Sequence, residues 1–223
     1  MSLESQRIRL IMELRSHGVT DTAVLSAVER VPREIFVPDS FKEHAYENTA
    51  LPIGMGQTIS QPSVVAFMTQ ALELTDRMKV LEVGTGSGYQ AAILSKLARR
   101  VYTIERHRGL LREAERRFGE LKLRNVVTKL GDGSKGWPEQ APFDRILVTA
   151  AATEIPPALI EQLAVGGILV APVGKQRGDQ NLVRLRRTET GTEQETLWAV
   201  RFVPLVSAPA EEKPRNGPSR AAS

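Results

Sequence analysis

Three features of this 223-residue sequence predict an α/β fold, a mostly parallel sheet with helices on both faces. From Lys79 onward, short apolar runs rich in β-branched residues alternate with helical stretches. A glycine turn, Gly84-Thr85-Gly86-Ser87-Gly88, joins the first run to the first helix after it. Carboxylates stand at the ends of three successive runs, at Glu82, Glu105 and Asp132. Such alternation favours parallel strands, because each crossover helix returns the chain to the edge from which the next strand starts.

The elements follow in order. Leu3, Ile8, Leu10, Ile11 and Leu14 fall near helical spacing over 3–16, and Gly18 ends that helix. Thr20 and Asp21 offer a cap for a second helix over 21–30, which stops before Pro32. A short turn carries Ile35, Phe36 and Val37. Residues 39–57 show no period and read as a long structured loop with a functional purpose. A helix is expected over 64–74. Strands are then expected at 79–83, 100–105, 125–130, 143–149 and 167–173, and helices at 88–98, 107–122 and 156–164. Runs at 181–188 and 195–203, joined by Thr190-Gly191-Thr192, predict a C-terminal antiparallel hairpin at one sheet edge. This gives N-terminal helices and a loop over 1–57, a catalytic core over 58–206, and a disordered tail over 207–223, where Pro, Ala, Ser and charged residues show no apolar period.

Composition narrows the function. The net charge is +4, but the basic residues form isolated pairs, Arg99-Arg100, Arg116-Arg117 and Arg186-Arg187, with no aromatics between them, so no nucleic-acid partner is expected. The absence of cysteine excludes a disulfide scaffold, a thiolate nucleophile and cysteine metal ligands; no metal is expected. No apolar run has spanning length and the first residues are polar, which predicts a cytoplasmic protein without a membrane partner. A monomer is expected.

The glycine turn specifies the ligand class. A dinucleotide fingerprint needs glycine at position 89, which is Tyr89, and a P-loop needs a Gly-Lys-Ser/Thr that is missing. The segment Glu82-Val83-Gly84-Thr85-Gly86-Ser87-Gly88 resembles the S-adenosylmethionine loop of class I (Rossmann-like) methyltransferases, against the alternative of an ordinary Gly-rich connector. On that reading Glu82 takes the ammonium of the methionine portion. Glu105, seventeen residues after Gly88, takes the ribose hydroxyls, and Asp132 accepts from the adenine amino group.

The acceptor is read from what the site lacks. Thr149-Ala150-Ala151-Ala152-Thr153 follows the fourth strand, where amino-group methyltransferases of nucleic acids carry Asx-Pro-Pro-aromatic and metal-dependent catechol enzymes carry acidic ligands. His17, His44 and His107 are given no role as base. A carboxylate acceptor, already ionised at neutral pH, needs no base.

Beyond these residues, roughly positions 20–206 resemble the bacterial protein-L-isoaspartate O-methyltransferases. The most specific segments are Val31-Pro32-Arg33-Glu34-Ile35-Phe36-Val37-Pro38, Gly56-Gln57-Thr58-Ile59-Ser60-Gln61-Pro62, Gly131-Asp132-Gly133, Phe143-Asp144-Arg145-Ile146 and Arg201-Phe202-Val203-Pro204-Leu205. The resemblance implies methylation of the α-carboxylate of L-isoaspartyl residues in damaged proteins and peptides, which opens repair through a succinimide. It implies S-adenosylmethionine as donor, Ser60 as the catalytic serine, Gln57, Thr58 and Ile59 beside the cofactor with Gly133, and Val203, Pro204, Leu205 and Val206 beside the peptide. Small side chains at Ala150 and Ala151 leave room for the isoaspartyl backbone. One departure is Val65, where eukaryotic relatives tend to carry histidine. From the residues alone, a helix N-cap or near-cap before Pro62 is the favoured role for Ser60, and only the resemblance reverses that; the two roles are compatible. An RNA methyltransferase and a non-catalytic S-adenosylmethionine-binding module remain the alternatives.

Overall fold

The computed structural model describes residues 2–175 and 178–207. The tail from 208 onward, expected to be disordered, lies outside the described residues. The chain opens with helix α1 (Leu3–Ser16) and helix α2 (Thr22–Arg30), the latter capped by the Asp21 carboxylate, which accepts from the N–H groups of Ala23 and Val24. Short 3-10 turns follow at Arg33–Phe36 and Asp39–His44.

The stretch expected as a loop then forms a hairpin, strand β1 (Leu51–Gly54) against strand β2 (Gln57–Ile59). Its turn residues Met55 and Gly56 both have positive φ, 51° and 68°. Tight hairpins need that geometry, and glycine or asparagine normally signals it. Methionine at the first position hides the turn from a sequence reading.

Helix α3 (Pro62–Ala71) starts at its proline, whose fixed φ suits a first helical position. Strand β3 (Lys79–Val83), helix α4 (Tyr89–Leu94), strand β4 (Arg100–Glu105), helix α5 (Arg108–Glu120) and strand β5 (Val126–Leu130) succeed one another as the alternation predicts. Strand β6 (Phe143–Val148), helix α6 (Pro157–Glu161), strand β7 (Leu163–Gly174), strand β8 (Gln180–Arg187) and strand β9 (Thr192–Val200) complete the fold. β7 begins four residues before the expected position. Its register against β6 slips between Phe143 and Arg145, beside Gly166 at φ 76°, so the extra residues form an irregular lead-in that a period of two does not reveal.

The seven-stranded sheet runs β5-β4-β3-β6-β7-β8-β9. The first five are parallel to one another, whereas β8 pairs antiparallel with both β7 and β9. Side chains alternate between faces, as strand geometry requires. Val80, Val101, Leu147 and Val170 meet Met68, Leu72, Leu94 and Phe118 of α3, α4 and α5 on one side. Leu81, Val83, Ile146 and Leu169 meet Leu159 of α6 on the other. A separate apolar cluster joins α1 and α2 to the β1–β2 hairpin and to Tyr89 and Ile93 of α4. That cluster sets the N-terminal segment against the start of the helix that follows the glycine turn.

Strand order reverses between β3 and β6: the chain builds outward through β4 and β5, then returns to add β6 on the opposite side. Ligands of open α/β sheets bind beyond the carboxyl ends of the strands at such a point.

Candidate active site

A cleft opens at that reversal. It is lined by Gln57 to Ser60 from the hairpin, by Val83 to Ser87 after β3, by Ile104 to His107 after β4, by Gly133, by Thr149 and Ala150 after β6, and by Phe202 to Val206 after β9. Val65, Met68, Tyr89 and Gln90 close its floor.

The glycine turn is shaped from behind. Gly84, Gly86 and Gly88 all have positive φ, at 101°, 54° and 90°. A Cβ on Gly84 would stand 2.4 Å from the Thr149 hydroxyl, and one on Gly88 would stand 2.8 Å from the Phe118 ring. Only Gly86 has room, with Ile53 at 3.6 Å. Two of the three glycines therefore serve close packing against β6 and α5, and the third leaves the ligand side bare. Thr149 holds the turn through its hydroxyl, which donates to the carbonyls of Gly84 (2.8 Å) and Val83 (3.0 Å). Arg117 of α5 donates to the Ser87 carbonyl at 3.0 Å.

Glu105 faces the cleft and is fixed by the backbone. One carboxylate oxygen accepts from the Gly86 N–H at 2.8 Å and the other from the His107 N–H at 2.9 Å. Each oxygen offers two lone pairs, so one per oxygen stays available to a ribose diol. Gly133 also borders the cleft; a Cβ there would lie 2.4 Å from Val83 Cγ1.

The structure does not bring every expected residue to the cleft. The Glu82 carboxyl points onto the helix-covered face of the sheet, fully buried, and accepts from the Thr103 hydroxyl, which itself pairs with the Thr85 hydroxyl at 2.6 Å. Its other oxygen has no hydrogen-bond partner among the described residues. Burial is the main cause that pushes its pKa up to about 8, with the neighbouring Glu105 charge adding and the Thr103 hydroxyl opposing. Burial thus favours the protonated acid, and Glu82 reaches the cleft only through Thr103 and Thr85, not as the direct grip on an ammonium that its position suggests. Strand-end counting places a residue along a strand but not the atoms across from it. Gly88, Asp132 and Ala151 do not line the cleft either. The Asp132 side chain accepts from the Ser134 N–H at 3.0 Å, turning the chain after β5. Ala151 works through its backbone: its N–H donates to the Val203 carbonyl (2.8 Å) and its carbonyl accepts from the Leu205 N–H (2.7 Å), pinning the segment after β9 to the cleft wall.

Ser60 lies at the cleft edge between β2 and α3. The residue at the helix N-cap is Gln61, with no side-chain cap bond; the Ser63 N–H is instead satisfied by Asn48 at 2.9 Å. A distant asparagine performs the capping that Ser60 might have performed, and the Ser60 hydroxyl makes no hydrogen bond among the described residues. Its carbonyl accepts from Arg33 Nη2 at 2.9 Å. Sequence reasoning missed Arg33, Asn48 and Thr149, whose partners are remote in the chain. Of the histidines, only His107 borders the cleft. His17 bonds the Glu13 carbonyl, and His44 pairs with Glu47, both elsewhere. Among the described residues no cluster of three or more His, Asp or Glu side chains is arranged to hold a metal ion. No helix among them is long and apolar enough to cross a membrane.

Known proteins resemble this chain in sequence and fold. The family model of protein-L-isoaspartate(D-aspartate) O-methyltransferases matches residues 5–210. A protein-L-isoaspartate O-methyltransferase of Rhodospirillum centenum is 63% identical over 216 residues, covering 96% of this chain and 98% of that protein. The Rhodospirillum rubrum protein of the same name is 66% identical over 208 residues, covering 92% and 95%. A solved protein-L-isoaspartate O-methyltransferase superposes with a TM-score of 0.81 at 30% identity, covering 89% of this chain and 65% of that one. A Plasmodium falciparum structure described as the same kind of enzyme, in complex with S-adenosyl-L-homocysteine, gives 0.78 at 25% identity, covering 89% and 97%. This chain is therefore a member of the protein-L-isoaspartate(D-aspartate) O-methyltransferase family.

Proposed function

We propose that the cleft binds S-adenosylmethionine against the glycine turn and Glu105, and that Ser60 orients the α-carboxylate of an L-isoaspartyl residue for methylation. The chemistry of the residues suits that donor: a carboxylate with backbone-fixed oxygens for a diol, a turn left bare at Gly86, and an apolar wall at Ile104. Gln57, Thr58 and Ile59 would cover it from the hairpin side. When bound, the donor supplies a methyl group on a positively charged sulfur.

The protein's own task is then placement. An isoaspartyl carboxylate is ionised at neutral pH, so no residue has to remove a proton. The single observation that carries the reading is the Ser60 hydroxyl, without a hydrogen-bond partner among the described residues and at the edge of the same cleft as Glu105. It donates to one carboxylate oxygen and leaves the other to attack. Alignment of two reactants in this way is worth orders of magnitude in rate. Val203, Pro204, Leu205 and Val206, tied to Ala151, form the wall for the peptide, and Ala150 leaves space for its extra methylene. The same reading takes the protein as a cytoplasmic monomer.

Transfer of labelled methyl to an isoaspartyl peptide, to its aspartyl counterpart and to RNA tests the proposal. A base-labile methyl ester on the isoaspartyl peptide alone is expected, and methylated RNA would overturn it. Ser60→Ala should lower kcat roughly tenfold to a hundredfold with donor affinity intact; an unchanged kcat removes the positioning role.

A further inference from the structure

Arg33 has no exposed surface at all, the most thoroughly enclosed cation among the described residues. Burial pulls its pKa below the ordinary arginine value, with Tyr89 opposing, and no carboxylate among the described residues pairs with it. A buried charge without a counter-ion is costly unless its donors are well used. Here Nε and Nη2 are spent on main-chain carbonyls, while the buried Nη1 has no hydrogen-bond partner among the described residues. Nε donates to Ala45 at 2.8 Å, and Nη2 to Ser60 at 2.9 Å with a longer contact to Thr49 at 3.5 Å. The guanidinium also sits over the Tyr89 ring, 4.8 Å from its centroid, at the first residue of α4 after the glycine turn.

Ser60 needs such a fastening. It lies past the last ladder residue of β2 and before the first residue of α3, so neither element holds it. The cap of α3 comes from Asn48 and leaves the serine untouched. The Ser60 carbonyl has Arg33 as its one donor among the described residues.

We propose that Arg33 is a positioning residue for the methyl transfer, fixing the Ser60 hydroxyl against the cleft by clamping the serine's own carbonyl to the start of the glycine-turn helix. The inference rests on the positioning role given to Ser60 above. A planar fork can reach the Ala45 and Ser60 carbonyls together while lying flat on an aromatic ring; an ammonium, a point donor on a flexible stem, cannot do all three. The shape of the group matters here, beyond its charge.

The test compares Arg33→Lys, which keeps the charge, and Arg33→Gln, which keeps only N–H donors, each alone and combined with Ser60→Ala. All are assayed with an isoaspartyl peptide at a temperature where circular dichroism shows the variants folded. Arg33→Lys should lower kcat by roughly tenfold to a hundredfold, as a displacement of about an ångström does. S-adenosylhomocysteine affinity by calorimetry should stay within about twofold, a split that general loosening of the fold would not produce. Arg33→Gln should be at least as slow. In the Ser60→Ala background both substitutions should add little, because the group they position is gone. A wild-type kcat for Arg33→Lys overturns the proposal, as does a full additive loss in the Ser60→Ala background. If Ser60→Ala alone runs at the wild-type rate, the failure belongs to the serine reading, and it is seen before Arg33 is touched.

Discussion

Glu82→Gln isolates one buried proton. In the folded protein the Glu82 carboxyl titrates at about 8, against 4.5 for the ordinary group, chiefly because the sheet and α-helices exclude water from it. Below pH 4.5 the acid is protonated in folded and unfolded chains alike, and its contribution to stability is at its fullest. Between 4.5 and 8 the unfolded chain releases the proton while the folded chain keeps it, so stability falls as pH rises, by about 1.4 kcal/mol per pH unit. Above 8 both states are ionised and the loss levels off. From pH 5.5 to 7.5 the wild type should therefore lose roughly 2–3 kcal/mol through this group. Glutamine has the shape of the protonated acid and no such slope. Urea unfolding of both proteins at pH 5.5, 6.5 and 7.5 gives the difference directly, since the titrations they share cancel. The variant should gain on the wild type at each step upward. Parallel curves would refute the reasoning and mean that Glu82 stays ionised in the folded chain.

The other predictions concern neighbouring positions. Glu105→Gln puts an amide N–H where the carboxylate accepts from Gly86 or His107, and should weaken S-adenosylhomocysteine binding by roughly 1.5–3 kcal/mol in calorimetry; unchanged binding argues against a ribose contact. Gly133→Ala brings a methyl to 2.4 Å from Val83 Cγ1 and should cost about 1–3 kcal/mol in urea unfolding, whereas a stability equal to wild type would show that β3 yields freely. Buried Gln180 accepts from the Phe202 N–H at 2.7 Å and donates to its carbonyl at 3.3 Å, so it holds the segment after β9 from outside the cleft. Gln180→Glu, which cannot donate when ionised, should raise the peptide KM severalfold with donor affinity unchanged; an altered donor affinity with normal KM would reverse that assignment.

What the sequence conveyed well was what short spacings decide. The strand–glycine–helix passage at 80–94, Glu105 at a strand end and the final hairpin all depend on neighbours within a few residues, and the structure has them. Asp21 as a helix cap belongs to the same class. Less was legible where a partner is remote. Asn48 could be recognised as the cap of α3, and Arg33 as the clamp on Ser60, only once folding closes sequence separations of fifteen and twenty-seven. Glu82 misleads for a related reason: its position along β3 fits a ligand, but the choice between helix layer and cleft is made by Thr103 on the next strand. The β1–β2 hairpin was hidden by methionine in a left-handed turn.

The pairing of the last three strands carries a consequence of parity. β8 turns the chain around against β7, and β9 turns it around again, so the polypeptide leaves the sheet heading the same way as β3 and β6. Two reversals return Phe202 to Val206 to the rim where the glycine turn lies; a single added strand, or three, would have delivered those residues to the opposite rim. The far wall of the cleft is in this sense a product of counting. An enzyme built on this sheet could lengthen or shorten both arms of the hairpin together, yet could not lose one arm and still close its site.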